Sequence, residues 1–193
     1  WLRVKNLACG ICPTDLSLLF AKGNPSVAPV ALPGLQRIYL GHEAVSVVTE
    51  IGPAVTRFRV GDRVIMENHF YGANCLNLEL EHLCEMCAQG DTNFCLHKSD
   101  YPYLGVGGGF GDGYVSHETG VRPCPPELTL DQAVLVEPFG IGTHAVLRHP
   151  PKEGAKVLIV GAGMIGISVL MAVRAAQPAC EVTILSRHDF QSQ

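Results

Sequence analysis

The 193-residue chain has no excess of positive charge: 14 Lys and Arg stand against 18 Asp and Glu, a net charge of −4. The basic residues are scattered, so the electrostatic footprint that nucleic acid requires is missing. The charge-free stretch Val157 to Val173 is only 17 residues long and contains three glycines. That is marginally short for a membrane span and reads better as strand, turn and buried helix. The first residues, Trp1-Leu2-Arg3-Val4-Lys5, show neither a signal-peptide pattern nor a start Met. The last, Asp189 to Gln193, follow directly on an apolar strand. Both ends are expected to be cut, leaving a fragment, and a cytoplasmic location is expected. Internal repeats and low-complexity tracts are missing too. Eight cysteines are too few for a disulfide scaffold of this length, and four of them crowd between Cys75 and Cys95.

What is present is a chain that can bury a core, 47% hydrophobic and 17% charged. Its 21 glycines and 13 prolines imply many turns and a strand-rich portion. Strands are expected at residues 1–8, Ala44 to Ile51, Arg59 to Met66 and Tyr114 to Val121. A short helix is expected over Leu16 to Ala21, with Thr14 or Asp15 as its cap. Residues 22–37 form an irregular, proline-rich excursion, and Gly105 to Gly113 a glycine loop. Residues 67–100 have weak periodicity and no apolar core of their own, so a metal is a fitting source of order. Leu130 to Leu147 has a helical pattern interrupted by Pro138 and glycines. After it come Lys156 to Val160, a glycine turn, Ile165 to Ala176 and Glu181 to Leu185, which spell β-α-β.

The glycine turn carries chemistry. Val157-Leu158-Ile159-Val160 runs into Gly161-Ala162-Gly163-Met164-Ile165-Gly166. A GxGxxG alone is weak, but this one follows a buried-type strand and opens an apolar helix. Gly161 allows the tight turn, Gly163 lets a pyrophosphate approach, and Gly166 lets helix and strand pack closely. The first helical N–H groups, at Met164 and Ile165, face the phosphate. An ordinary tight connection is the bland reading. The second strand ends in Ser186-Arg187 where an acidic residue normally accepts from the adenosine ribose. A carboxylate would repel a 2′-phosphate, whereas Ser186 and Arg187 can bond and neutralise it, which favours NADP over NAD. A surface Arg beyond a strand, with Asp189 swinging in, is the alternative.

Three separated segments hold possible metal ligands: Gly10-Ile11-Cys12-Pro13-Thr14-Asp15, Gly41-His42-Glu43 and Val136-Glu137-Pro138. Cys12, His42 and Glu137 would make an open zinc site with a position left for water or substrate. Glu43 is a fourth ligand that exchanges with water, or an anchor behind the others. Singly, each signal is weak; a buried Cys is more often a small hydrophobe.

As an ordered set, Gly-Ile-Cys-x-Thr-Asp, Gly-His-Glu, Gly61-Asp62-Arg63-Val64, a Cys-rich lobe, Glu-Pro and GxGxxG resemble the zinc-containing medium-chain dehydrogenases over essentially the whole chain. The resemblance implies a mixed fold. A GroES-like β-barrel catalytic domain would span 1–145, and the first β-α-β unit of a Rossmann domain 146–193. It implies a zinc acting as Lewis acid on a small alcohol or carbonyl substrate and hydride exchange with NAD(P). Thr14 resembles the family's proton-relay hydroxyl. Asp15 resembles the carboxylate that holds His42 through the ring nitrogen turned away from zinc. Helix capping is the alternative for both. Glu137 stands where animal and plant alcohol dehydrogenases have a second Cys, and Glu-Pro there is similar to the sorbitol and threonine dehydrogenase branch. That tilts the substrate toward polyols, sugars or hydroxy-amino acids. Pro13 and Ser46 stand where relatives often have Gly.

Cys84, Cys87 and Cys95 match three of the family's four structural-zinc ligands. The expected fourth position holds Glu81, and the nearest upstream cysteine is Cys75, which makes Tyr71 to Leu83 look like an insertion. Cys75 is favoured as the fourth ligand, with Glu81 the alternative. Cys9, Cys124 and Cys180 are expected to be packing residues. The full-length protein is expected to be a homo-oligomer without membrane or nucleic-acid partners, and the fragment alone a weak catalyst or none. A zinc-stabilised structural or binding module on the same fold, without dehydrogenase activity, is the competing reading.

Overall fold

The structure, a computed structural model, describes residues 1–20, 39–67, 74–97 and 106–192. The chain divides into two compact units, Trp1–Val134 and Leu135–Gln193. The expected excursion 22–37 lies outside the described residues.

The first unit is built on an antiparallel five-stranded sheet. Its strands are β1 (Leu2–Gly10), β2 (Glu43–Ile51), β3 (Arg63–Met66), β4 (Gly113–Ser116) and β5 (Val121–Pro123), in the order β4-β1-β2-β3-β5. Leu2 and Val4 of β1 are buried while Arg3 and Lys5 are exposed, the period-2 alternation of a half-covered strand. With Ala44, Val48, Phe58, Val64, Met66, Tyr114 and Val121 they form the core. The pairing of β1 with β2 slips between Asn6 and Ala8, a bulge that re-aims the side chains after it. A second cluster, Val45, Ile65, Cys124 and Ala133, brings helix α3 (Leu130–Val134) onto the sheet.

Several elements differ from expectation. The first helix, α1, spans Pro13–Phe20. Proline's fixed φ suits the opening turn, so the helix begins before the expected cap positions, and Thr14 and Asp15 lie inside it. The strand expected from Arg59 starts at Arg63, because Gly61 turns the chain with φ +95°. Tyr114 to Val121 is two strands, since Glu118–Gly120 coils into one 3-10 turn whose Thr119 N–H donates to His117 Nδ1 at 3.3 Å. Within the Cys-rich segment, helix α2 (Glu85–Ala88) and a 3-10 turn, Thr92–Phe94, are all the regular structure among the described residues.

The second unit holds α4 (Val136–Arg148), β6 (Lys156–Val160), α5 (Met164–Ala176) and β7 (Glu181–Leu185). β6 and β7 pair in parallel, as a β-α-β unit requires. Pro138 falls in the first turn of α4, where the missing N–H costs nothing. Gly140 and Gly142 do not break α4; a Cβ at Gly142 would collide with Ser168 of α5, so the bare residue lets the helices pack. The whole of α4 thus goes with the second compact unit, which starts at Leu135. Among the described residues no helix is long and apolar enough to cross a membrane.

Candidate metal centres and nucleotide turn

Cys12 lies between β1 and α1, and His42 and Glu43 lie at the entry to β2. One donor atom from each, sulfur, imidazole nitrogen and carboxylate oxygen, lies within 4.8 Å of the other two. Zinc bonds of about 2.0–2.3 Å at tetrahedral angles put ligand atoms roughly 3.3–3.8 Å apart, so the trio fits one cation after small adjustments.

Asp15 organises this trio from behind. Its carboxylate is 1% exposed, yet it sits on the helix that follows Cys12. Oδ2 accepts from the backbone N–H of Cys12 at 3.1 Å. Oδ1 accepts from the backbone N–H of Gly41 at 2.9 Å and lies 3.3 Å from Nδ1 of His42. One buried carboxylate thus ties both ligand-bearing segments and faces the His42 ring at Nδ1. Burial raises the Glu43 carboxyl above the usual carboxylate range, against the opposing pull of His42. Thr14 is exposed in the first turn of α1. Gly41 has φ +82°, and a Cβ there would run into the backbone and ring of Phe110, so glycine is required beside His42. Burial pushes the neighbouring Cys9 thiol up to about 12, which suits a neutral packing residue.

The Cys-rich segment closes on itself. The sulfurs of Cys75, Cys84, Cys87 and Cys95 all lie within 4.8 Å of one another, with Cys75–Cys95 at 3.7 Å and Cys84–Cys95 at 4.0 Å. These separations match a tetrahedral zinc–thiolate site. The N–H groups of Cys87 and Leu96 donate to Cys84 and hold its thiol down at about 6, a thiolate ready to bind. Burial pushes Cys87 up to about 12, a cost that a bound cation would relieve. Glu81 is exposed and outside the cluster, which Cys75 completes.

Glu137 lies in the first turn of α4, in the second unit. In that unit the glycine turn has the backbone its sequence calls for. Gly161 has φ +108°, and its N–H donates to Leu185 of β7 at 2.9 Å. A Cβ at Gly166 would strike the Gly161 carbonyl, while Gly163 faces open space. Gly163 caps α5 without a side-chain bond. Ser186 and Arg187 stand exposed just beyond β7. Gln191, missed from sequence, spans this corner. Its Oε1 accepts from the N–H groups of Arg187 and His188 at 3.2 Å each, and its Nε2 donates to the Ala162 carbonyl at 3.3 Å. An amide two turns downstream of a strand has no sequence signature that would single it out.

The alcohol dehydrogenase GroES-like domain family matches residues 1–126. (R,R)-butanediol dehydrogenase of Saccharomyces cerevisiae is 31% identical over 185 residues, covering 86% of this chain and 46% of that protein. Sorbitol dehydrogenase of Bacillus subtilis is 33% identical, covering 94% and 47%. The crystal structure of galactitol-1-phosphate dehydrogenase from Escherichia coli superposes with a TM-score of 0.74 at 25% identity, over 98% of this chain and 49% of that one. The chain thus spans about half the length of the relatives it matches.

Proposed function

Because this chain belongs to the medium-chain zinc alcohol and polyol dehydrogenase family, we propose that its full-length protein is a zinc-dependent oxidoreductase. It exchanges hydride between the CH–OH group of an alcohol, polyol, sugar or hydroxy-amino acid and NAD(P). The observation that supports this reading is the convergence of Cys12, His42 and Glu43 on one point, braced by buried Asp15.

In this reading Cys12 and His42 would hold the catalytic zinc with Glu137, and Glu43 would be a fourth ligand that exchanges with water, or an anchor behind the others. A bound zinc supplies Lewis-acid polarisation of the substrate oxygen. The chain's own groups do the rest. Asp15 keeps His42 in the tautomer protonated at Nδ1 and fixes its ring. Thr14, exposed two residues after Cys12 in the first turn of α1, would accept the substrate proton at Oγ1 and pass its own to solvent. Glu43, flanking the ligands, offers a carboxylate to any group that displaces water. Cys75, Cys84, Cys87 and Cys95 hold a structural zinc. Gly161, Gly163, Met164, Ile165 and Gly166 form the pyrophosphate seat, and Ser186 and Arg187 take the 2′-phosphate of NADP.

The test is a dehydrogenase screen of the full-length protein with both cofactors, before and after chelation. Turnover of polyols or hydroxy-amino acids that chelation abolishes and zinc restores is expected. Activity indifferent to chelation would overturn the zinc chemistry. A charged hydrogen bond contributes about 1.5–3 kcal/mol, so Arg187→Glu should raise the KM for NADP roughly 10- to 100-fold. The KM for NAD should hardly change. Equal shifts for both cofactors would remove Arg187 from phosphate recognition.

A further inference from the structure

Asn6 and Ser46 face each other across β1 and β2 and have no part in the chemistry above. Ser46 is fully buried, an expensive place for a hydroxyl unless it is bonded. Its Oγ donates to Asn6 Oδ1 at 2.8 Å and neighbours the buried Tyr114 phenol as well. The other end of the Asn6 amide is more unusual. Nδ2 reaches three backbone carbonyls of one loop: Gly108 at 2.9 Å, Gly109 at 3.1 Å and Gly111 at 2.8 Å. The Asn6 backbone N–H takes a fourth, Asp112, at 2.9 Å. One residue therefore engages four carbonyls of the glycine loop, its two amide hydrogens shared among three of them.

That loop in turn holds the approach to the metal ligands. The Gly109 N–H donates to the Gly41 carbonyl at 2.7 Å, and the Phe110 N–H to Leu40 at 3.2 Å. Gly41 is the residue whose own N–H is held by Asp15, and His42 follows it. The glycines keep the pieces close. Side chains at Gly108 and Gly109 would strike the Leu40 carbonyl and the Cys9 sulfur. Asn6 shares the face of Leu2 and Val4 by the strand's period-2 alternation, and the bulge after it shifts the register of the residues that continue to Gly10.

We propose that Asn6, steadied by Ser46, is a positioning residue for the metal site. It shapes the 108–112 loop into a template on which Leu40 and Gly41 are laid, and so sets His42 and Asp15 relative to Cys12. The inference rests on the reading of Cys12 and His42 as ligands.

The test uses the full-length protein with cobalt(II) in place of zinc, and the zinc form challenged with a competing chelator. Asn6→Leu keeps the branched shape, slightly enlarged, and removes the amide; Ser46→Ala is the milder companion, removing only the hydroxyl. In both, the cobalt absorption bands that require Cys12 should shift. Zinc should leave that site faster, by about 10- to 100-fold for Asn6→Leu and less for Ser46→Ala, the usual scale for groups behind a ligand. Release from the four-cysteine site should keep its wild-type rate. Unchanged bands and release rates in a folded Ser46→Ala or Asn6→Leu protein, with only Tm lowered, would reduce Asn6 to a structural residue and overturn the proposal. A wild type whose cobalt spectrum is indifferent to Cys12→Ala overturns the metal site itself, and the proposal falls with it.

Discussion

Cys12→Ala in the full-length protein should cost one zinc per chain and at least about 1,000-fold in turnover. A Lewis acid on the substrate oxygen contributes several kcal/mol of transition-state stabilisation, and each 1.4 kcal/mol is tenfold in rate. Removing the thiolate leaves only His42 and Glu43 of the converging trio, too few to retain the ion. The fold should survive, since Cys12 is only half-buried and belongs to no core cluster. Metal analysis and steady-state kinetics read this directly, with circular dichroism to confirm folding. Glu137→Ala should show the same pairing of effects. If Cys12→Ala keeps both its zinc content and its turnover, no metal chemistry can be centred there.

Cys87→Ala should be the most damaging change for stability. Among the described residues of the cysteine lobe the buried ones are Cys75, Cys87 and Cys95, with Leu80 and Cys84 packed against them. Hydrophobic burial therefore contributes little to its order. Structural zinc sites contribute folding free energy outright, and one missing thiolate forfeits most of it. A loss of at least about 3 kcal/mol is expected, a fall in Tm on the order of 6 °C or more. Limited proteolysis should then cut within 74–97 before it cuts the sheet. A variant with unchanged zinc content, Tm and proteolytic pattern would show that the four sulfurs hold no ion.

Much of this was legible in residue order. GxGxxG after an apolar strand declared its β-α-β unit, because Gly161 with its positive φ and Gly166 packed on the Gly161 carbonyl answer backbone demands that other residues meet poorly. Cys12, His42 and the four lobe cysteines stood out because thiol and imidazole are scarce and chemically particular. Asp15 was legible as a support for His42 only through family resemblance. Its bonds to the backbone of Cys12 and Gly41 were not, since a carboxylate two positions into a helix reads as a cap. The Asn6 network was invisible for a deeper reason. Its partners are carbonyls some hundred positions away, and every residue has a carbonyl. Element edges failed where local backbone events decide them: the left-handed turn at Gly61, the 3-10 turn at 118–120 and the tolerant first turn of α4 around Pro138.

The closeness of the four lobe sulfurs has a cost in air. Emptied of any ion, Cys75 and Cys95 would face each other at 3.7 Å with Cys84 only slightly farther off, its low-pKa thiolate poised to attack once either is oxidised. Oxygen would then weld the vacant lobe into crossed links that no longer accept a guest. Stripped protein must be kept under reductant until it is refilled. The trio around His42 offers one sulfur ligand, Cys12, where the lobe offers four.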